Sequence, residues 1–447
     1  MSELEEADCV ENFDVVVIGG GLAGLCTASF AASAGARVAL YESSPELGGR
    51  ARTRIKEGYY FNYGAHALYR GGALDTALRD QGVVPRGNVP KLAAGYFVRD
   101  RTLHRAPFSA SGLKETTLYP SAVKAEVGAA LARFGKSAPE VGPGVNARQA
   151  VEEFSPSPHV RELISAMLRL TSLIHDPDAA DGATLFGQLH RGLSNNAVYV
   201  DDGWNQLVSA LTARADAGRC QLGVGRRVTA IKPGQTWRVE TSGGHSVSAP
   251  AVVIALPPRD ALELLPNVEA LRVAADRSVA VYAACLDLGL SQLPEPRHQF
   301  ALGIDEPLYL SVHSSAARLA PEGGALVHIL RYLEPDRQLD KAVLLAELEG
   351  FADLLQPGWR SYVRARQFFW RMPVMCAEPL ARFGGLAGRP SVAVPGSPGL
   401  YLAGDWVGSH SLLSDAAAAS GRLAGEMAAA FAQKNRSSAQ PKRFDAR

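Results

Sequence analysis

Residues 14–18 (DVVVI) run straight into Gly19, Gly20 and Gly21, and that junction constrains the fold more than any other feature of the chain. A short, continuous, β-branched apolar run is what a strand buried on both faces requires. The stretch from Leu22 to about Ala34 then reads as a helix, whose small residues Ala23, Gly24 and Ala28 let it lie close to a sheet. Gly35 stands where a helix terminator is expected. A second strand, RVALY at 37–41, ends at Glu42, eighteen residues after Gly24. Strand, glycine turn, helix, strand and acid, in that order, make a dinucleotide-binding unit. Gly19, Gly21 and Gly24 permit the tight turn, the close approach of a pyrophosphate and close helix–strand packing. The helix N-terminus offers free N–H groups and partial positive charge to the phosphates. Glu42 is placed to bond the adenosine ribose hydroxyls, and its charge repels a 2′-phosphate.

A second glycine loop follows at once. LGGRARTR holds Gly48, Gly49, Arg50 and Arg52. Two glycines let another backbone stretch approach the same pyrophosphate, and an arginine pairs a phosphate oxygen. A nicotinamide enzyme has no evident need for that loop. Near the other end, GLYLA at 399–403 reads as a buried strand and 415–432 as an alanine-rich helix.

Between these ends the rhythm changes. Residues 85–200 show short helical patterns broken by Pro and Gly, with Leu163, Met167, Leu168 and Leu170 on a buried helix. Further on, 204–217 reads as a helix, 237–241 and 246–255 as strands, 277–290 and 325–332 as strands of a second sheet, and 341–355 as a helix. The expected architecture is α/β: a Rossmann-like dinucleotide-binding domain from 1–80, 200–275 and 390–432. A discontinuous α+β substrate domain takes 81–199 and 276–389, and 433–447 form a disordered tail.

Charge and cysteine usage exclude several functions. The 447 residues carry 46 basic and 45 acidic side chains, a formal charge of +1, which does not suit a nucleic-acid binder. Five cysteines with no CxxC pair and no clustered His argue against a disulfide scaffold and against a metal site. No signal peptide and no eighteen-residue apolar run is visible, so the cytoplasm is the expected location, with peripheral membrane contact left open. Ser409, His410 and Asp415 are too close in sequence to converge as a hydrolase triad, and there is no GxSxG elbow.

GGGLAG, Glu42, LGGRARTR, GLYLAGDW and the DAAAASG helix together resemble the flavin amine oxidase superfamily, which includes phytoene desaturase-like enzymes and protoporphyrinogen oxidases. The resemblance implies FAD in an extended conformation and a substrate domain over the flavin ring. Carried over by residue, Gly19, Gly21, Leu22, Ala23 and Gly24 meet the pyrophosphate and Glu42 the ribose. Gly48, Gly49 and Arg50 lie along the phosphates and flavin. Val228 presents its backbone to the adenine, with Ala255 and Pro257 nearby. Gly404 and Asp405 hold the ribityl–phosphate region, and the helix from Asp415 and Ala416 points its N–H groups at the flavin pyrimidine edge. In FNYGAHALYRGG (61–72), Gly64, Ala65, His66 and Ala67 line the reactive region. His66 is the titratable candidate there, either as a base or as a scaffold imidazole bonded to a backbone carbonyl.

Two departures from the amine oxidase pattern matter. No lysine occurs between Lys232 and Lys341, and VGSHSLLSDA after Trp406 holds no aromatic residue. Both count against a simple amine oxidase, and GAHALY with AGDWVG leans toward the desaturase-like branch. No cysteine falls in the segments that bind flavin covalently in some relatives, so FAD is expected to be non-covalent. Trp370 is either a core aromatic or a substrate-facing one. The expected activity is desaturation of a hydrophobic small molecule, an isoprenoid or secondary metabolite, by hydride transfer to flavin, with oxygen or another acceptor taking the electrons. Amine oxidation to C=N, a flavin isomerase without net redox change, and a non-enzymatic partner are the alternatives.

Overall fold

The computed structural model describes residues 11–91, 94–195, 197–335, 337 and 339–439. Its first sheet has five parallel strands in the order Gln221–Gly223, Val38–Tyr41, Val15–Ile18, Ala251–Ile254 and Leu400–Leu402. Val15, Val16 and Val17 are fully buried, which is why that strand tolerates no polar alternation. The helices Leu22–Ser33 and Leu413–Ala439 pack against each other and the sheet. A four-stranded sheet, from Glu11–Asn12, Ser246–Ala249, Trp237–Thr241 and Val228–Lys232, lies beside it.

Seven strands, in the order Val363–Met375, Val281–Leu290, Ala325–Tyr332, Leu308–Val312, Phe300–Gly303, Tyr96–Arg99 and Thr102–Arg105, form the other large sheet. Strand alternation sends its two faces into different cores. Leu286, Leu288 and Ile329 pack with the helix Lys341–Leu355. Val281, Ala283, Cys285, Leu330 and Tyr332 pack with the helices Ser121–Lys136, Ala147–Phe154, Pro158–Ser172 and Gly182–Asn195.

The structure departs from the expected elements in three places. The run 246–255 is two strands in two sheets, because Pro250 between them has no N–H to continue a ladder. The strand expected from 277 starts at Val281, since the helix Glu269–Arg277 holds the residue before Ser278. The last helix continues through Ala439, so 433–439 are helical and not a tail; 440–447, like the acidic 1–10, lie outside the described residues. Among the described residues no helix is long and apolar enough to cross a membrane.

Candidate active site

A cavity of about 380 Å³ opens at the carboxyl ends of the parallel strands, where ligands bind in sheets of this kind. Gly19, Glu42, Ala255 and the Gly404–Asp405 pair each follow one of those strands, and all line it. Gly21, Leu22, Ala23, Gly48, Gly49, Arg50, Ala65, His66, Ala67 and Pro257 complete the part of its wall expected from sequence. Residues more than 380 positions apart therefore converge on one space.

The two glycine loops hold each other in place. Gly19 has φ +105°, and its N–H bonds the Tyr41 carbonyl at 2.8 Å. Gly24 lies behind the turn: a Cβ there would stand 1.8 Å from the Gly19 oxygen. Around a Cβ on Gly21, by contrast, nothing lies within 4 Å. The Gly48 N–H bonds the Gly20 carbonyl at 2.7 Å, docking the second loop on the first. Glu42 accepts from the N–H groups of Gly20 and Ser44, both at 2.7 Å, so its carboxylate already ties the turn to the second strand.

Arg50 and Asp405 form the charged corner. Arg50 Nη1 donates to Asp405 Oδ2 and to the Val374 carbonyl, both at 2.8 Å, and the Cys376 N–H donates to the same carboxylate oxygen at 3.1 Å. Burial raises the Asp405 carboxyl, but the Arg50 charge and the hydrogen bonds outweigh it and hold it below the usual carboxylate range. Its Oδ1 is buried without a partner. The Arg50 side chain is 39% exposed, a cation facing the cavity. An open glycine cradle, helix N–H groups, a cation and an unpaired carboxylate oxygen fit a diphosphate joined to a hydroxyl-bearing chain.

Five expected residues are not on this wall. Gly24 packs behind the turn, and Gly64 lies against Met372, where a Cβ would come 2.4 Å from its terminal carbon. Val228 is buried in the edge strand of the four-stranded sheet. Asp415 accepts from the Leu74 N–H at 2.9 Å, capping the helix Ala73–Asp80, and Ala416 is buried. The last helix still begins at the cavity, through Leu413, Ser414 and Ala417. Trp370 is 48% exposed and His410 is exposed, and neither lines a described cavity. From the strand carrying Trp370 it is Met372, Pro373 and Val374 that face inward. Cys376 also lines the cavity, 3.4 Å from Arg50 Nη2, where no cysteine was expected. Burial and then Asp405 push its thiol well up, so it is not a thiolate near neutrality. Tyr63 and Tyr69, within the 61–72 segment, also join the wall, and Leu173 and Trp204 do so without any sequence motif to announce them.

His66 Nδ1 donates to the Gly64 carbonyl, 3.0 Å away, and its ring meets the edge of Trp204 at 4.7 Å. Burial outweighs the carbonyl bond and lowers its pKa to about 4. Of the two readings the contacts favour the scaffold, and a titration near neutrality is not what this environment supports. Substituting His66→Ala is therefore expected to leave FAD bound and to slow flavin reduction by less than about tenfold, below the range for losing a general base. Wild-type rates between pH 5 and 8 should show no step that the variant lacks. A loss of about 10²-fold together with a vanished step would restore His66 as proton acceptor.

A second chamber, of about 520 Å³, shares Ala65, His66, Ala67, Tyr69, Leu173, Leu330 and Leu413 with the first. Phe108, Leu131, Met167, Leu170, Leu193 and Phe300 give it an apolar wall, and among the described residues that wall holds no carboxylate. Its polar groups include Tyr199, Tyr309 and His313. His313 stacks on Tyr199 at 3.7 Å, and its Nε2 lies 3.2 Å from the Tyr309 hydroxyl. Burial, then His328 and His66, hold His313 well below the usual imidazole range. Beneath it, Asp287 takes His328 Nδ1 at 2.6 Å, the Cys285 thiol at 3.0 Å and the Gln367 amide at 2.7 Å. Cys285, Asp287 and His328 thus bring three donor atoms within 4.8 Å. Their spacing is that of hydrogen bonds, shorter than ligands about 2.0–2.3 Å from a shared tetrahedral ion would show. Gln367 also bonds the Asn62 carbonyl at 2.7 Å, so the cluster braces the segment that carries His66.

Fold and site together define an FAD-dependent oxidoreductase. The chain belongs to the flavin containing amine oxidoreductase family, which it matches over residues 22–427. A 51-residue stretch is 47% identical to a carotenoid 3,4-desaturase of Haloarcula japonica, spanning 11% of this chain and 10% of that protein. An oxidoreductase from Methanosarcina mazei shares the fold over 91% of this chain and 98% of its own, with a TM-score of 0.71 at 17% identity. Putrescine oxidase bound to putrescine does so over 94% and 100%, with a TM-score of 0.73 at 15% identity.

Proposed function

We propose that the protein desaturates an apolar small molecule, an isoprenoid or related secondary metabolite, lodged in the second chamber. The chamber's wall carries this reading. An amine is a cation at neutral pH, and burying it without a counter-charge costs several kcal/mol. An apolar chain gains about 25 cal/mol for each Å² it buries there. The short likeness to a carotenoid desaturase supports the same substrate class.

FAD, when bound, supplies the hydride acceptor. Gly21 and Gly49 admit its diphosphate, Glu42 takes the ribose hydroxyls, and Arg50 with Asp405 anchors the phosphate and ribityl region. Residues 390–432 and 1–80 with 200–275 serve the cofactor, while 81–199 and 276–389 serve the substrate. The apolar wall positions a C–H bond toward the shared boundary and keeps water out. Forming C=C also releases a proton. That proton leaves to water, because burial holds His313, like His66, well below the usual imidazole range and makes it a poor acceptor. His313 and the Tyr309 hydroxyl, 3.2 Å apart, give the chamber its polar end. His66 shapes the boundary. The electrons leave to oxygen or another acceptor. Free thiols at Cys26, Cys220, Cys285 and Cys376 support a reducing compartment such as the cytoplasm.

Anaerobic mixing tests the reading. An acyclic C40 polyene in detergent micelles is expected to remove the oxidised flavin absorbance, and putrescine is not. Loss of absorbance with putrescine alone would sink the proposal in favour of amine oxidation. An isomerised polyene with the absorbance unchanged would point to an isomerase.

A further inference from the structure

Trp406 lines the flavin cavity and also a separate cavity of about 250 Å³. Helix Glu269–Arg277, the turns at 381–388 and the stretch Pro390–Pro395 enclose it. Val273, Leu380, Phe383 and Val394 make the wall apolar, and Glu378, Arg277 and Arg389 interrupt it.

Glu378 is 5% exposed, and neither of its carboxyl oxygens has a hydrogen-bond partner. Arg389 Nε is buried and unpartnered as well, although its other nitrogens bond the Ser411 carbonyl at 3.0 Å and the Ala377 carbonyl at 3.3 Å. Burying such a group without a partner is costly, and folded proteins keep few of them. Two on the wall of one cavity mark a place where a ligand completes the bonding.

The surrounding charges select the ligand. Arg277 lies over the Phe383 ring at 4.7 Å, Arg389 stands on the same wall, and Asp176 and Arg382 also act on Glu378. Asp181 packs on Gly385 at the cavity's edge. Burial, then Asp176, raises Glu378 to about 8, so it holds its proton at neutral pH, while burial lowers Arg389 only to about 10 and leaves it charged. The wall thus offers an O–H donor and two cations.

We propose that this cavity binds a small apolar carboxylate, whose oxygens accept from the Glu378 O–H and the Arg389 Nε–H. The site is independent of the substrate chamber and of the desaturase reading.

Benzoate, titrated calorimetrically into the FAD-loaded protein, is the probe, with benzylamine as the cationic control. Benzoate is expected to bind one per chain at pH 6.5 and to weaken about tenfold per pH unit above 8, as Glu378 ionises and repels it. Glu378→Gln, which keeps an N–H donor, should bind with no such pH dependence. Val273→Trp, which fills the cavity from its helix, should abolish binding while FAD absorbance stays. Absence of benzoate binding at pH 6.5, tighter binding of benzylamine, a pH profile unchanged by Glu378→Gln, or benzoate binding that survives Val273→Trp would each overturn the proposal.

Discussion

Gly21→Val is expected to give a folded protein that elutes without FAD, whereas Gly24→Val loses the fold of the turn along with the cofactor. The two glycines are three residues apart and do opposite things. Nothing lies within 4 Å of a Cβ on Gly21, so the protein itself has room for valine, and only the diphosphate competes for that space. Losing two charge-assisted hydrogen bonds of about 1.5–3 kcal/mol each corresponds to roughly 10²–10⁴-fold weaker binding. A Cβ on Gly24 would sit 1.8 Å from the Gly19 carbonyl oxygen, an overlap that only backbone movement relieves. That costs about 3 kcal/mol or more and should lower Tm by several degrees. Flavin absorbance per chain after gel filtration, beside a thermal melt followed by circular dichroism, separates the two effects. A yellow Gly21→Val protein would show that the turn does not hold the cofactor.

Arg50→Ala should be the most damaging single truncation in the cofactor wall. Asp405 has a side chain 3% exposed and would keep a buried charge with its ion-pair partner gone. Breaking such a pair costs about 3–5 kcal/mol when both groups are buried. Arg50 is 39% exposed, so solvent screening discounts this to about 2–3 kcal/mol in the protein without FAD. The double variant Arg50→Ala with Asp405→Asn should regain most of that stability and still fail to retain FAD. The pH dependence has a definite sign. Asp405 is held below the usual carboxylate range in the fold, so the pair's contribution is complete above the unfolded value near 4 and disappears as the pH falls through the folded one. Denaturant melts of wild type between pH 3 and 7 should show this loss, and Arg50→Ala should lack it. Equal acid sensitivity in both proteins would mean the pair contributes nothing to stability.

The first strand, the glycine turn, its helix and Glu42 were legible because each is coded locally. A β-branched run, a positive φ at Gly19 and a helix starting at Leu22 depend on neighbours in sequence, and together they build the open glycine turn on the cavity wall. The glycine–arginine loop at 48–50 and Asp405 were legible as motifs in the same order. Trp370 was a candidate that the structure turned outward, because a strand shows alternate faces and the edge strand Val363–Met375 has neighbours on one side alone. The Asp415 side chain caps a helix 341 residues away in sequence, a partnership no local pattern encodes.

By itself, then, the sequence determined the α/β class, the dinucleotide turn, the acid that follows it and the charged motif near the far end. Backbone conformation and hydrophobic period are properties of short segments, and they need no knowledge of the rest of the chain. Tertiary structure alone decided that His66 packs half-buried against Trp204 with its pKa lowered, that Cys376 faces the cavity at the strand ends, and that the second chamber has no carboxylate on its described wall. Proton affinity, exclusion of water and the charge lining a cavity depend on which segments pack around a group, and those segments come from every part of the chain.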